Sequence, residues 1–360
     1  MRSKWLKYGG AALVAMLMVA VMAGCSSSTP TSSGSSSTAP AKKTLKTAMV
    51  TDIGGLGDKS FNDLSYAGLQ KAKTDLGADI KVLESKAPTD YESNITNLAN
   101  AGYSPIFAVG FLMTDTVSKM STAYPDVTFG GIDQSFTPPI KNVVGINFKE
   151  QEGAYLAGYL AAKLTTMPSV DPRINDKPIL GFVGGMDIPP VQRYQAGFIA
   201  GAKAANPAVV VKSVYAGSFT DQQKGIEDGK ALIDQGADIV FAAAGQTGLG
   251  TAKACQDNKA IFIGVDADQF LTIPGIGDTI LTSAVKKVDV AVFDTVKKAA
   301  DGQLQGGADV LYGLKEDGVG LAPYHNWDAK IPADVKAAVE KAKTDIVAGT
   351  VTVPTTPPAQ

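Results

Sequence analysis

Three aspartates each end a short apolar run: Asp52 in KTAMVTD, Asp133 in VTFGGID and Asp266 in AIFIGVD, the last followed by Asp268 and Gln269. An ionised carboxylate accepts several hydrogen bonds, so such a group can hold the vicinal hydroxyls of a ligand. Paired carboxylates can also act as general acid and base. Any one of these residues alone reads as a cap or a turn; their common position at run ends in both halves of the chain favours a site. Aromatic residues accompany them. Phe61 and Asn62 follow the turn Gly54-Gly55-Leu56-Gly57, Gly110 and Phe111 follow PIFAV, and Phe219 lies in AGSFTDQQKG. Exposed rings offer their faces to a planar group. The turn GGLG matches neither G-x-G-x-x-G nor a Walker loop, so it reads as a tight strand-to-helix connection rather than a phosphate cradle. Ser60 is expected to open a helix, with Asp63 completing a capping box.

Other chemistry is excluded by scarcity. The 360 residues hold one histidine, His325, and two cysteines, Cys25 and Cys255. That removes multi-Cys/His metal centres and a disulfide scaffold. A Ser–His–Asp triad would depend on His325, which in GLAPYHNWD reads as structural. Asp266-Ala-Asp268 lacks the ligand and glycine spacing of a calcium loop, so no metal is expected, and no cofactor. Cys255, in TAKACQDNK, is expected to be buried on a helix. A net charge of −2 argues against a nucleic-acid partner.

The chain begins with Arg2, Lys4 and Lys7, then AALVAMLMVAVMA, then Met22-Ala23-Gly24-Cys25. The apolar stretch suits a signal-peptide core better than a membrane span. Small residues before Cys25 resemble a bacterial lipobox, with Met22 where Leu is usual. Cleavage there would make Cys25 the lipidated N-terminus; an ordinary secretory signal is the alternative. Removing residues 1–24 takes three positive charges from a total of −2 and leaves −5. Eleven of the fifteen residues after Cys25 are Ser or Thr, a composition that cannot bury a core and serves as a tether.

From Leu45 the chain alternates. Apolar runs at 46–52, 79–84, 105–110, 127–133, 178–184, 209–215, 238–243 and 260–266 are separated by segments of helical period. Runs apolar at successive positions suit strands buried on both faces. In 60–76, Leu64, Gly68, Ala72 and Leu76 share a helix face, and in 149–163 a stripe of Ala154, Ala157, Gly158, Ala161 and Ala162 is expected to pack closely on a sheet. Four runs precede Asn147 and four end at Asp266. The pattern predicts an α/β protein of two doubly wound parallel-sheet lobes, with the ligand between them beyond the carboxyl ends of the strands.

TDIGGLGDKSFND, GFLMTDTV, KNVVGINFKEQEGAYLAGYLA, GFVGGMDIPPVQRYQAGFIAGA, VYAGSFTDQQKG, FAAAGQTGLGT, IGVDADQ and TSAVKKVDVAV resemble, in order, the basic membrane protein family of bacterial lipoproteins. These are the purine-nucleoside-receptor-like substrate-binding proteins of ABC transporters, and the likeness covers roughly residues 45–355. The resemblance implies a type I periplasmic-binding-protein fold with three crossover strands. It implies a signal peptide over 1–24, a tether over 25–44, an N-terminal lobe from 45–147 and 284–315, a C-terminal lobe from 148–283 and 316–352, and a tail over 353–360. The second crossover is expected near Thr282-Ser283, the third near 315–322, and the last helix over 332–348.

The resemblance also implies site roles. Phe61 and Phe219 would sandwich a purine base, Asn62 and Asp133 would read its polar edge, and Asp266 and Lys286 would hold the ribose. Asp52 and Gly245 would stand in the surrounding shell, with Gly110 and Phe111 lining the pocket. An Asn can donate or accept, so Asn62 would match a purine edge in either flip. Lys286, in KKVD, alternatively reads as a solvated helix start. The implied partners are a nucleoside, an ABC permease, and the membrane through lipid on Cys25. The alternatives are the same module binding a sugar or other small solute, or a nucleoside hydrolase.

Overall fold

The computed structural model describes residues 44–359. Cys25, the signal segment and nearly all of the tether lie outside the described residues. The first part of the chain runs β1 (Lys46–Val50), α1 (Phe61–Leu76), β2 (Asp79–Leu83), α2 (Asp90–Asn100), β3 (Ile106–Val109), α3 (Thr114–Ala123), β4 (Phe129–Ile132) and β5 (Val143–Phe148). Then follow α4 (Glu150–Leu164), β6 (Ile179–Gly184), α5 (Pro189–Ala205), β7 (Val210–Tyr215), α6 (Gln222–Asp234), β8 (Ile239–Ala243), α7 (Gly245–Asp257), β9 (Ile261–Asp266), α8 (Gln269–Thr272) and β10 (Ile280–Lys286). The chain ends with α9 (Val288–Ala300), β11 (Ala308–Tyr312), β12 (Val319–Leu321) and α10 (Ala333–Val347).

The strands form two six-stranded sheets, ordered β11-β5-β4-β3-β1-β2 and β12-β10-β9-β8-β6-β7. The pairings are parallel except β10 with β12, which is antiparallel. The central strands β3, β4, β8 and β9 are buried at every position, as continuous apolar runs require when helices cover both faces. The chain passes from the first sheet to the second between β5 and β6, back between β10 and β11, and again between β11 and β12. These are two α/β lobes of the type I periplasmic-binding-protein architecture. β10 stays hydrogen-bonded between β9 and β12 to its end, so the chain leaves the second sheet after Lys286, beyond the crossing expected at Thr282-Ser283.

Local chemistry sets the helix ends. Gly77 stops α1 in the left-handed region at φ 68°, and Asp221 caps α6 by accepting from the Lys224 N–H. The expected capping box at α1 is not formed. Ser60 Oγ has no partner among the described residues, and Asp63 accepts from the backbone of Gly57 and Lys59. Asp58 performs the cap instead, accepting from the N–H groups of Ser60, Asn62 and Asp63. A carboxylate two residues upstream reaches more of the free donors of the first turn than the Ser60 hydroxyl can.

The small-residue stripe of α4 meets a helix as well as a sheet. α4 packs against α5 more extensively than against β10 and β12. The helices approach backbone to backbone: a Cβ on Gly158 would lie 2.1 Å from the Phe198 carbonyl oxygen, and one on Gly201 1.9 Å from that of Tyr155. Gly201→Ala should therefore force the helices apart and cost about 1–3 kcal/mol, read as a lower urea midpoint with an unchanged slope. An unchanged midpoint would show that the α4–α5 contact gives way freely.

Candidate functional site

Asp52, Asp133 and Asp266 lie at or just past the carboxyl ends of β1, β4 and β9. Asp133 and Asp266 adopt positive φ, 61° and 59°, a conformation that Asp tolerates better than most residues and that sits at the same place in both lobes. Between the lobes lies a cleft lined by residues of both sheets' carboxyl ends, with about 590 Å³ of space that is partly open to solvent. All ten residues expected in a pocket line it: Asp52, Phe61, Asn62, Gly110, Phe111, Asp133, Phe219, Gly245, Asp266 and Lys286. Phe61 comes from the first lobe and Phe219 from the second.

Lys286 is not a solvated helix start. It is the last residue of β10 and 2% exposed, while its neighbour Lys287 reaches Asp317 at the surface. Its ammonium donates to Asp133 Oδ2 at 2.7 Å and Glu150 Oε1 at 3.1 Å, and stands 4.7 Å from the Phe61 ring centre. Burial alone would favour the neutral amine; the carboxylates of Asp133, Glu150 and Asp266 outweigh it and hold the ammonium above its ordinary value. Glu150 is itself fully buried and accepts from Arg193 Nε at 2.6 Å. Lys286 and Arg193 together overcome its burial and hold its carboxyl low. Sequence reasoning missed Glu150, Arg193 and Tyr194. Their one signal was position: Glu150 opens the helix after β5, and Arg193 and Tyr194 lie in the quoted stretch VQRYQAGF.

The remaining carboxylates are each partly committed. Asp266 Oδ1 accepts from the Tyr194 hydroxyl at 2.7 Å. Burial pushes the Asp266 carboxyl up to about 7, against the pull of Lys286 and Tyr194. Asp52 Oδ1 accepts from the Gly54 N–H and from Asn62 Nδ2, and burial pushes its carboxyl up to about 6. Asn62 Nδ2 donates to both Asp52 and Asp58, at 3.0 and 3.2 Å. Two carboxylates on one side fix the amide, so Asn62 does not serve in either flip: its nitrogen is spent and its Oδ1, without a partner among the described residues, is an acceptor only. Asp58, also missed from sequence, thus orients Asn62 and caps α1 at once.

Besides Lys286–Asp133, hydrogen bonds from Gln246 Nε2 to the Gly54 carbonyl at 2.8 Å and from Thr272 Oγ1 to the Lys59 carbonyl at 3.0 Å join the lobes. Beside the cleft, His325 stacks on Phe270 and bonds Asp268 at 2.7 Å. Trp327 and Cys255 are fully buried. Among the described residues no cluster of three or more His, Cys, Asp or Glu suits a metal ion, and no helix is long and apolar enough to cross a membrane.

Residues 45–356 match the family of ABC transporter substrate-binding proteins described as PnrA-like. The chain is 34% identical to the ABC transporter nucleoside-binding protein BmpA of Lactococcus lactis, over 95% of this chain and 97% of that one. It is 33% identical to basic membrane protein D of Borreliella burgdorferi, over 81% and 83% of the two chains, and 35% identical to a lipoprotein of Pyrococcus abyssi, over 88% and 76%. Among solved structures it is similar to an ABC transporter solute-binding protein of Aeropyrum pernix, with TM-score 0.79, 29% identity, and 88% and 94% of the chains covered. The chain belongs to the PnrA-like family of ABC transporter substrate-binding proteins, whose members take a small-molecule ligand and work with a membrane permease.

Proposed function

We propose that the protein captures a purine nucleoside between its lobes and delivers it to an ABC permease, held at the outer face of the cytoplasmic membrane by lipid on Cys25. One observation carries this reading. The cleft combines one aromatic from each lobe, Phe61 and Phe219, with carboxylates that keep oxygens unpaired, Oδ2 of Asp52, Oδ1 of Asp133 and Oδ2 of Asp266. A flat, apolar-faced base bearing a diol fits that combination. Aromatic–base stacking contributes ~1–3 kcal/mol per base, and a carboxylate suits vicinal hydroxyls. The Lactococcus relative is a nucleoside-binding protein by name, which supports the ligand class, and the Pyrococcus relative is named a lipoprotein, which supports the anchor.

In this reading Phe61 and Phe219 cover the two faces of the base. Asp266 accepts from the ribose hydroxyls and Lys286 donates its third proton to the ribose. Asp266→Ala should weaken nucleoside binding at least ~100-fold by calorimetry, since two charge-assisted hydrogen bonds are lost at ~1.5–3 kcal/mol each. Retained affinity would remove Asp266 from the ribose site. The pocket should also reject phosphate. Asp52, Asp58, Asp133 and Asp266 face a single lining ammonium, Lys286, which Asp133 and Glu150 already occupy. A nucleoside 5′-monophosphate should therefore bind more weakly than its nucleoside, and the reverse order would contradict this charge argument. Cys25→Ser should move the protein from the membrane to the soluble fraction of the host.

A further inference from the structure

The hydrogen-bond inventory of the cleft is lopsided. Asp52 Oδ2 accepts from no group among the described residues, and Asn62 Oδ1 and Asp133 Oδ1 are likewise without partners. Among the side chains that line the cleft few donors remain; the Tyr91 hydroxyl, without a partner among the described residues, lies near Asp52 but outside the lining. Both Asn62 Nδ2 protons are used by Asp52 and Asp58, the Tyr194 hydroxyl is used by Asp266, and two of the three Lys286 protons go to Asp133 and Glu150. The end of the cleft formed by β1, the start of α1 and Gly110 is therefore a wall of acceptors. Gly110, at φ 110°, keeps that wall open: a Cβ there would lie 3.0 Å from Asp52 Oδ2.

From this inventory we infer that the protein selects, among purine nucleosides, those whose base edge presents adjacent N–H donors, the 2-amino-6-oxopurine of guanosine, over adenosine. The inference rests on the nucleoside reading above. Guanine offers an N1–H and a 2-amino group on one edge, which an Asp52 carboxylate and the fixed Asn62 carbonyl can accept together. Hypoxanthine offers only the N1–H. Adenine offers its 6-amino group beside an N1 lone pair, and that lone pair against an unpaired acceptor leaves two buried acceptors facing each other. Asp58 holds the Asn62 amide in the acceptor-out orientation and is thus a positioning residue for this discrimination.

Calorimetry on the purified protein at pH 7.5, with guanosine, inosine and adenosine, tests the order. Guanosine is expected at least tenfold tighter than adenosine, with inosine between. Adenosine binding as tightly as guanosine, or more tightly, overturns the inference while leaving the nucleoside reading intact. If none of the three binds, the nucleoside reading itself falls, and the inference with it. Asp52→Asn, which preserves shape and the Oδ1 bonds but puts an amide where Oδ2 stood, should narrow the guanosine-to-adenosine ratio to within about threefold, mostly by loss of guanosine affinity. An unchanged ratio in that variant overturns the role of Asp52. Should the variant fold poorly, the unmodified protein gives the same readout. The groups facing Asp52 are Asn62, Asp58, Asp133 and the Tyr91 hydroxyl on α2, and burial holds its proton into the mildly acidic range. On acidification to pH 5.5 Asp52 becomes able to donate, and the ratio should fall. Asp266 also titrates, but facing the ribose it acts on all three ligands alike and cancels from the ratio. A ratio constant from pH 7.5 to 5.5 counts against the inference.

Discussion

Lys286→Met should lower the unfolding free energy by about 3–5 kcal/mol at pH 8, because the substitution leaves buried carboxylates without their cation. Lys286 lies on the second sheet, Asp133 on the first, and Glu150 at the start of the helix that joins them, so one ammonium compensates charges brought together only when the lobes are assembled. Methionine keeps the length and apolar stem but no charge. Glu150 retains Arg193, whereas Asp133 retains nothing of equal strength, with one oxygen already unpaired. The deficit should be pH-dependent in a definite direction. In the native protein the raised folded value of Lys286 means its contribution is complete below the unfolded value of a lysine and is lost only as pH rises through the folded one. It is therefore constant from pH 5 to 8. In the variant Asp133 can take up a proton as pH falls, so the deficit should shrink between pH 8 and 5.5. Urea unfolding at the two pH values measures this. A variant within 1 kcal/mol of the parent at pH 8 would show that the cluster contributes little to stability.

The fold was legible because its signals are local and repeated. The eight apolar runs correspond to β1–β4 and β6–β9; six of them are buried along nearly their whole length, while β2 and β7 sit half-buried at sheet edges and are marked by apolar composition alone. Of the strands outside those runs, β5 and β10 are buried, whereas β11 and β12 have weak signatures. β11 is an edge strand with exposed and half-buried positions, and β12 has three residues. The family resemblance implies a crossing within β10, near Thr282-Ser283, and Lys286 in KKVD also reads as a solvated helix start. Alternation along the chain instead sends Lys286 into the cluster and Lys287 outward. The site was legible where a residue ends a strand or opens a helix. It was not where function depends on pairing across the fold. Nothing local shows that Glu150 must meet Arg193, 43 residues away, or that Tyr194 must meet Asp266, 72 away. Asp58 was missed for another reason: Ser60 offered a familiar capping pattern at the same helix, and only geometry shows the carboxylate taking that place.

Nucleoside affinity should rise with pH between 5 and 8, by up to ~100-fold, and Tyr194→Phe should move that rise to higher pH. The Asp266 carboxyl is pushed up to about 7 by burial, so near pH 8 it is mostly ionised and at pH 5 about one molecule in a hundred is. A ribose diol donates to the ionised form, so binding draws on that fraction, and the apparent affinity falls with it. The ligand-free fold behaves oppositely. Asp266, and Asp52 and Asp238 at about 6, all carry values above those of the unfolded chain. The native state binds more protons than the unfolded state across roughly pH 4–7, so the stability contributed by these groups falls as pH rises through that window. The free protein should therefore melt a few degrees higher at pH 5.5 than at pH 8, while its ligand binds more weakly at pH 5.5. Tyr194 separates this mechanism from a general acid effect. Its hydroxyl stabilises the Asp266 anion from 2.7 Å, alongside Lys286 and against Asp133 and Asp58. Removing that one oxygen should displace the midpoint of the affinity profile upward and leave the plateau at high pH nearly unchanged. Asp266→Asn should flatten the profile by removing its dominant titrating group, leaving the smaller dependence due to Asp52. Isothermal titrations at half-unit pH steps give all three profiles, and a Tyr194→Phe midpoint at or below that of the parent would detach Tyr194 from the ionisation of Asp266.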